Sequence, residues 1–434
     1  MARRLDARAG DFAGAFAALV SGPRESGEDV TASVRAIIAD VRARGDAAVT
    51  DYTERFDKVR LAPAQLRVTS DEIDAAVARC KRETLQALDV AAARIEAYHR
   101  RQLPHDERFT DGAGATLGWR WTALDSVGLY VPGGTASYPS SVLMNAVPAR
   151  VAGVARIAMV TPASGGALNP LVLAAARRAG VTEIYKVGGA QAVAALAYGT
   201  ATIAAVDKIV GPGNAYVAAA KREVFGQVGI DSIAGPSEIL VIADAANDPD
   251  WIAADLLSQA EHDASSQSIL ITDDAEFAGK VEAAIERALA LLPRRAIAEA
   301  SWRDHGAIVV VEKLQDAAAL SNRIAPEHLE IATADPEALL KHVRHAGAVF
   351  LGRHTPEAMG DYIAGPNHVL PTARTARFSS GLSVLDFLKR TTLTACSPAA
   401  LSQLGPDAIA LAEAEGLDAH ARSIAARLNR RDRS

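Results

Sequence analysis

The chain has 434 residues with 46 basic and 52 acidic side chains, and its formal net charge of -6 gives no electrostatic reason to expect a nucleic-acid partner. Hydrophobic residues make up 49% and charged residues 23%, as in ordinary globular proteins, and this length favours two or more domains. No run of about 18 uninterrupted apolar residues occurs and the only cysteines are Cys80 and Cys396, so neither a membrane span nor a disulfide framework is expected, and a cytoplasmic location is the simplest expectation.

Residues 1–110 are predicted to form a helical region. The opening MARRLDARAGDFAGAFAALV places Asp6, Arg8 and Asp11 among apolar residues, which fits an amphipathic helix better than a signal peptide. Apolar positions recur at helical spacing in DVTASVRAIIADVRARGDAAVTDYTERFD and in TSDEIDAAVARCKRETLQALDVAAARIEAYHRRQL. The following segment, GATLGWRWTALDSVGLYVPGG, alternates in polarity and predicts a pair of strands that leads into a glycine-rich turn.

Short apolar runs then alternate with helical stretches, which is the pattern of parallel sheets covered by helices. One series occupies residues 111–235 and a second occupies residues 236–378, and a duplicated unit would also produce this arrangement. Residues 379–434 are predicted to form a crossover and a C-terminal helical segment. The fold class expected is α/β, with two Rossmann-like α/β domains whose sheets are rich in parallel strands, plus smaller helical N- and C-terminal segments.

Three glycine-rich turns, YVPGGTAS, KVGGAQAV and VGPGNAYVAAAKREV, each end a strand and begin a helix. Backbone N–H groups at such a helix N-terminus can receive an anion, such as the phosphate of a cofactor. Gln191 and Asn214 lie just inside two of these helices and could bond a ribose or a phosphate, while Tyr130 could pack on a ring. Plain strand–helix loops have the same appearance, and no GxGxxG fingerprint follows a strand, since DGAGATLG lies in a predicted hairpin. The pattern alone leaves both interpretations open.

A metal site would have to be assembled from distant segments, because the sequence contains neither an HExxH motif nor a cysteine cluster. Gln259 and His262 would share one face of a helix, a spacing at which two ligands can reach one ion. With Asp361 and His420 the set would include two imidazoles and a carboxylate, which suits zinc, although a glutamine oxygen is a less usual ligand. The competing segment KHVRHAG contains basic residues that repel cations. Each segment taken alone is more typical of a structural role.

Glu327 and His328, in the stretch RIAPEHLEI, are the candidates for acid–base chemistry. An imidazole with its ordinary pKa of about 6.5 is a good base at neutral pH, and an adjacent carboxylate can activate water. Neighbours on a regular strand point to opposite faces, so both can serve one site only if the backbone is irregular there. Pro326 fixes its own φ and disfavours a helical Ala325, which favours such an irregular start. Taken alone, however, such a pattern more often marks the start of a strand that carries one surface charge.

Nine segments in their order closely resemble the histidinol dehydrogenase family: GLYVPGG, VGGAQAVAALAYG, VGPGNAYVAAAKR, AGPSEILVIAD, LLSQAEHD, APEHLEI, GDYIAGPNHVLPT, ARFSSGLSV and EGLDAHARSI. The resemblance runs through most of the chain. It implies oxidation of L-histidinol to L-histidine via L-histidinal in histidine biosynthesis, with two NAD+ and one zinc ion per subunit. It also implies a homodimer in which the C-terminal segment of one subunit completes the active site of the other.

The resemblance also implies roles for individual residues. The implied zinc ligands are Gln259, His262, Asp361 and His420. The implied catalytic pair consists of His328 as general base and Glu327 as the group that activates water. The implied NAD contacts are Tyr130, Gln191 and Asn214. The implied substrate-binding residues are Ser237, Gln259, His262, His328, Asp361, His368, Glu415 and His420, of which Glu415 and His420 would act in the partner's site.

Three alternatives are weighed against this function. A zinc-dependent NAD dehydrogenase on the same scaffold could oxidise another small polar alcohol, but Ser237, His368 and Glu415 are all present, which disfavours it. A non-catalytic metal- or nucleotide-binding protein is expected to lack part of the catalytic pair, and both members are present. A thiol-based aldehyde dehydrogenase needs a cysteine nucleophile, and neither cysteine lies in a suitable segment.

Overall fold

The structure is a computed structural model that describes residues 2–22, 30–133, 138–233 and 235–428. The strands in chain order are β1 (Arg3–Asp6), β2 (Glu107–Thr110), β3 (Ala115–Ala123), β4 (Ser126–Tyr130), β5 (Arg156–Thr161), β6 (Glu183–Lys186), β7 (Lys208–Val210), β8 (Gly229–Ile230), β9 (Glu238–Ala243), β10 (Gln267–Thr272), β11 (Ala307–Val310), β12 (His328–Ala332), β13 (Ala348–Leu351) and β14 (Leu388–Cys396).

The α-helices in chain order are α1 (Phe12–Ser21), α2 (Thr31–Arg44), α3 (Asp46–Asp57), α4 (Ser70–Ala78), α5 (Arg82–Arg100), α6 (Pro139–Ala152), α7 (Pro170–Ala179), α8 (Gly189–Tyr198), α9 (Ala215–Val224), α10 (Pro249–Ala260), α11 (Ala275–Leu289), α12 (Arg295–His305), α13 (Asp316–Ile324), α14 (Pro336–Leu340), α15 (Glu357–Tyr362), α16 (Pro398–Ala414) and α17 (Asp418–Leu428).

The chain divides into two compact units. The first consists of Met1–Gln102 and Asp125–Phe387, and the second of Leu103–Leu124 and Leu388–Ser434. The first unit contains a five-stranded and a six-stranded parallel sheet, and the second contains the antiparallel sheet β14-β3-β2 together with α16 and α17. The expected mixed α/β architecture with parallel-rich sheets is confirmed. The bounds expected from the sequence for the four domains stay a prediction.

The five-stranded sheet has the order β6-β5-β4-β7-β8, and all its strands are parallel. The chain begins this sheet at β4, adds β5 and β6 on one side, and then adds β7 and β8 on the other. The order therefore reverses between β4 and β7, and parallel sheets open a ligand crevice outside the carboxyl ends of the strands at such a point. The alanine-rich α8 is buried along almost its whole length, as expected for a helix packed closely on buried strands.

The six-stranded sheet has the order β1-β11-β10-β9-β12-β13, and from β9 onward it repeats the same topology. Both of its faces are covered, since Val241 and Ile242 are neighbours in β9 but belong to core clusters on opposite sides. β1 adds a sixth strand parallel to β11. The amphipathic helix predicted for the first residues is therefore wrong for Arg3–Asp6, because the edge of β11 supplies hydrogen-bond partners that no local pattern reveals.

The predicted pairing within GATLGWRWTALDSVGLYVPGG is also wrong. β3 pairs antiparallel with β2 and β14, whereas β4 pairs parallel with β5 and β7. The predicted hairpin at DGAG is present between β2 and β3, where the carboxylate of Asp111 accepts hydrogen bonds from the backbone N–H groups of Ala113 and Ala115.

No helix in the described parts of the chain has both the length and the apolar character that crossing a membrane would require.

Candidate active site

A cavity of about 650 Å³ lies in the first unit, between the carboxyl edge of the five-stranded sheet and the amino ends of β9 and β12. Its walls include many of the residues that the sequence predicts for the site: Asn214, Ser237, Gln259, His262, Glu327, His328, Asp361 and His368. Segments that lie between residues 214 and 368 of the chain thus meet around one cavity. Tyr130 and Gln191 are not among the described residues that line the cavity.

Glu327 and His328 face the same cavity because the backbone before β12 is irregular. Ala325 ends α13 in the left-handed region, at φ 49° and ψ 60°, and Pro326 follows it. The backbone N–H of Glu238 then donates to Oε2 of Glu327 at 2.9 Å, and the backbone N–H of Glu327 donates to Oε2 of Glu238 at 3.2 Å. Oε2 of Glu327 lies 3.7 Å from Nδ1 of His328. The irregular start expected from Pro326 is therefore present.

The two ring nitrogens of His328 have different surroundings. Nδ1 lies 2.9 Å from the backbone carbonyl oxygen of Glu238, which can only accept, so Nδ1 carries a hydrogen. Nε2 is buried and has no hydrogen-bond partner among the described residues. It lies 3.7 Å from Oε1 of Glu357 and 3.6 Å from Oδ1 of Asp361. In the neutral ring the lone pair is therefore on Nε2, which makes Nε2 the nitrogen that can accept a proton.

The acidic surroundings of His328 decide how the site titrates without a metal ion. Burial lowers the pKa of His328, but the negative charges of Glu327, Glu357 and Asp361 outweigh it and raise that pKa to about 10. Burial raises the pKa of Glu327 to about 8, although the charge of His328 opposes this shift. For Asp361, burial raises the pKa, but the nearby imidazole of His328 and the charge of His368 bring it well below its usual range. A proton on His328 thus balances the carboxylates.

Gln259, His262 and Asp361 line one wall of the cavity and can be compared with the predicted zinc ligands. Gln259 lies in the last turn of α10, and the oxygen and nitrogen of its side-chain amide are both buried without a partner among the described residues. His262 lies just past the end of α10, where its backbone N–H donates to the carbonyl oxygen of Gln259 at 3.1 Å. The two therefore approach the cavity through a tight turn and not, as predicted, from one face of a continuous helix.

A second possible ligand group overlaps with the first. Nε2 of His328 and carboxylate oxygens of Glu357 and Asp361 all lie within 4.8 Å of one another. A metal bound by His328 would occupy the only nitrogen of that ring able to accept a proton, and it would leave the buried amide of Gln259 without a partner. An unpaired buried amide is costly, so the set that includes Gln259 fits a cation better.

His368 and Ser237 occupy the remaining wall. Nδ1 of His368 lies 3.1 Å from the backbone carbonyl oxygen of Asp361, and Nε2 lies 3.4 Å from the hydroxyl oxygen of Ser141. Burial lowers the pKa of His368. Ser237 immediately precedes β9, and its carbonyl oxygen accepts a hydrogen bond from the backbone N–H of Gln267 at 2.9 Å. Both side chains are placed to contact a small polar ligand.

The three predicted cofactor contacts lie at the carboxyl edge of the five-stranded sheet. Tyr130 ends β4, and its hydroxyl oxygen accepts a hydrogen bond from the backbone N–H of Gly189 at 3.0 Å. Gln191 is buried nearby in α8, and its Oε1 has no partner among the described residues. Asn214 precedes α9, and its side-chain oxygen accepts from the N–H of Val217 at 3.2 Å. Tyr130 and Asn214 therefore flank the point where the strand order reverses.

The remaining predicted residues belong to the second unit. Glu415 immediately follows α16 and His420 lies in α17, and both are exposed within that unit. Their proposed contribution to a partner's site stays a prediction.

The sequence interpretation missed Glu238 and Glu357, which contact the predicted catalytic pair. Glu238 could have been found because it follows Ser237 in the segment AGPSEILVIAD. Glu357 could have been found because it precedes Asp361 by one helical turn, a spacing that places both on one face of a helix. Glu357 is 2% exposed, and the hydroxyl of Ser258 donates to its Oε2 at 3.0 Å. This bond directs Oε1 towards the ring of His328.

Comparison with known proteins shows to which family the chain belongs. The family model for histidinol dehydrogenase matches residues 21–428. Histidinol dehydrogenases from Rhodospirillum rubrum and Rhizobium meliloti are each 66% identical to the chain, over 431 and 429 residues, and the matches cover 99% of every chain. The crystal structure of histidinol dehydrogenase from Elizabethkingia anophelis is 38% identical, with a TM-score of 0.94 and 98% of each chain covered. The chain therefore belongs to the histidinol dehydrogenase family of oxidoreductases.

Proposed function

We propose that this protein oxidises L-histidinol to L-histidine through L-histidinal, using two NAD+ and one zinc ion per subunit, in histidine biosynthesis. The observation that carries the proposal is the orientation of His328. Its Nδ1–H is held by the carbonyl oxygen of Glu238 at 2.9 Å, so Nε2 is the atom that can accept a proton beside the cavity. Glu327 faces the same space, which supplies the second group that a two-step oxidation needs.

Zinc would be held by Gln259, His262 and Asp361, together with the fourth ligand His420 that the family resemblance implies. The amide of Gln259 is buried and has no partner among the described residues, which supports this set because a bound cation would satisfy its oxygen. When bound, the ion would act as a Lewis acid that anchors the imidazole and amine of the substrate. Ser237, His368 and Glu415 are the further substrate contacts in this proposal.

NAD+ would be held by Tyr130, Gln191 and Asn214, and it would accept the hydride in each of the two oxidation steps. The supporting observation is their location at the carboxyl edge of the sheet, where the strand order reverses. A second indication is that Oε1 of Gln191 has no partner in the described parts of the chain, since buried oxygens are normally hydrogen-bonded.

In the first step, Nε2 of His328 takes the hydroxyl proton as hydride leaves the adjacent carbon. For this the ring must be neutral, and a cation bound at Asp361 would lower the pKa of His328 by cancelling negative charge beside it. In the second step, Glu327 accepts a proton from the water that adds to the aldehyde, and the hydrate loses the second hydride. In balance, the alcohol, two NAD+ and water give the carboxylate, two NADH and three protons.

The same proposal includes a homodimer with shared active sites, in which Glu415 and His420 act in the partner subunit, and a cytoplasmic location. The family resemblance supports these features. A small-molecule substrate also agrees with the charge of the chain, which has 52 acidic and 46 basic residues and therefore no excess of positive charge.

The test is a steady-state assay with purified zinc-loaded protein and L-histidinol. We expect about two NADH for each histidine formed, as two hydride transfers require, and loss of turnover after treatment with a chelator. Absence of turnover, or turnover that resists complete removal of zinc, would contradict the proposal. Faster turnover of another small polar alcohol in the same assay would support the alternative dehydrogenase.

A further inference from the structure

Glu238 contacts both members of the catalytic pair through its backbone. It is the first residue of β9 and is 3% exposed. Its N–H donates to Oε2 of Glu327 at 2.9 Å, and its carbonyl oxygen accepts from Nδ1 of His328 at 2.9 Å. One peptide segment therefore sets the direction of the carboxylate and the tautomer of the ring.

The side chain of Glu238 makes two further bonds to backbone N–H groups. Its Oε2 accepts from Glu327 at 3.2 Å, and its Oε1 accepts from Ala373 at 3.0 Å. Ala373 has φ +51°, and Ala325, two residues before Glu327, has φ +49°. Alanine rarely adopts these conformations, and such strained residues persist only where surrounding contacts hold them. The carboxylate of Glu238 thus bridges two segments with unfavourable backbone geometry.

These two segments carry different parts of the site. The one after Ala325 carries Glu327 and His328, and the one before Ala373 carries His368. We infer that Glu238 is a positioning residue that holds the two segments together and so keeps the base and the water-activating carboxylate aligned. The inference rests on the proposed function for its catalytic consequence, because the reaction defines which alignment matters. Misplacement of a catalytic group by about 1 Å can cost about 100-fold in rate.

The test is Glu238→Gln in the full-length zinc-loaded enzyme. Glutamine has one side-chain oxygen, so its NH2 group must face one of the two N–H donors that the carboxylate now satisfies. We expect kcat with L-histidinol to fall about 100-fold, while the KM for NAD+ and the zinc content stay unchanged. The primary deuterium isotope effect on kcat should increase, because a misaligned base makes hydride transfer more rate-limiting. A crystal structure of the variant should show Glu327 or His328 displaced.

Asp244→Asn is the matched control. Asp244 follows the other end of β9, and its carboxylate accepts backbone N–H bonds from Ala334 at 2.8 Å and Ala246 at 3.1 Å, away from the cavity. We expect this variant to lose thermal stability but to keep the kcat and the isotope effect of the wild type. If Glu238→Gln behaved in the same way, Glu238 would be merely structural and the inference would be overturned.

The inference can still be tested if the wild-type protein proves inactive or if the variant does not fold. Unchanged positions of Glu327 and His328 in the crystal structure of Glu238→Gln would overturn the inference even if the wild-type protein did not oxidise L-histidinol, a result that would separately contradict the proposed function. If Glu238→Gln did not fold, the same measurements would be made on the double variant that also contains Ala373→Gly, because glycine adopts φ near +51° without the steric cost borne by alanine.

Discussion

His328 and His262 lie on the same cavity but have different chemical environments. His328 is buried and its Nδ1 is bound to a backbone carbonyl oxygen, whereas His262 is exposed on the cavity wall next to the unpartnered amide of Gln259. A base needs a fixed tautomer, and a metal ligand needs access to the ion and to other ligands. These environments support separate roles for the two histidines.

The first prediction follows from this difference. His328→Asn should lower kcat at least about 100-fold while the zinc content stays normal, because only the general base is removed. His262→Asn should instead lose zinc, because the imidazole ligand is removed. The measurements are turnover with L-histidinol and metal content by elemental analysis. Exchanged phenotypes would show that base and ligand have been assigned to the wrong residues.

The second prediction concerns the stability of the metal-free protein. The folded state raises the pKa of His328 from 6.5 to about 10 and that of Glu327 from 4.5 to about 8. Groups with raised pKa values stabilise the folded state below their unfolded pKa and lose this contribution as pH rises through the folded value. The melting temperature of the metal-free protein should therefore fall between about pH 6.5 and pH 9. A melting temperature that rises over this range would contradict the assigned charges, and His328→Asn should reduce the decrease.

At the scale of elements, the turn after β7 is held by a buried ion pair. Lys221 in α9 and Asp231 after β8 form this pair, and their side chains are 4% and 5% exposed. Nζ of Lys221 donates to the carbonyl oxygen of Gly211 at 3.0 Å, and Asp231 accepts from the N–H of Gly211 at 2.7 Å. Gly211 has φ +112°, and a Cβ there would lie 2.2 Å from the carbonyl oxygen of Tyr130. The pair thus fixes a turn that only glycine can form.

The third prediction tests this ion pair. Lys221→Met should lower the free energy of unfolding by about 3 kcal/mol, because it leaves the charge of Asp231 buried and unpaired. Adding Asp231→Asn should recover much of the loss, since the uncompensated charge disappears. Urea denaturation provides the measurement. The control is Glu223→Gln, since Glu223 lies in α9 like Lys221 but forms a more exposed ion pair, with Arg35 of α2. This change should lower the free energy of unfolding by less than about 1 kcal/mol. Equal losses for Lys221→Met and the control would contradict the proposed role.

At the scale of the whole molecule, the two parallel sheets share one strand order but contribute opposite edges to the cavity. The five-stranded sheet contributes the carboxyl ends of its strands, as sheets of this topology usually do. The six-stranded sheet contributes the amino ends of β9 and β12, where Glu238 and His328 begin their strands. The common topology therefore does not imply a common use of the two sheets.

The fourth prediction tests the proposed sharing of active sites between subunits. His328→Asn and His420→Asn should each be inactive alone, yet co-expressed chains should regain about a quarter of the wild-type activity. Half of the randomly assorted dimers would be mixed, and each mixed dimer would contain one intact site. Activity of the co-expressed sample is the measurement, and the sum of the two separately expressed variants is its control. Recovery no greater than that sum would contradict sites shared in this way.

The parallel α/β series, the hairpin at DGAG and the irregular start of β12 could all be predicted from the sequence alone. These features depend on local properties, namely apolar periodicity, glycine turns and the constraint from Pro326. Motif order likewise indicated the family, which the comparisons confirm. For this reason the candidate catalytic pair could be named before its geometry was known.

The assignment of strands to sheets and the groups around the predicted catalytic pair become known only from the three-dimensional structure. β1 joins β11 across about 300 residues of chain, and β3 and β4 separate into different sheets although Leu124 and Asp125 alone lie between them. The bonds from Glu238 to Glu327 and Ala373 span 89 and 135 residues. Such contacts depend on partners brought together by packing, and no local pattern contains them.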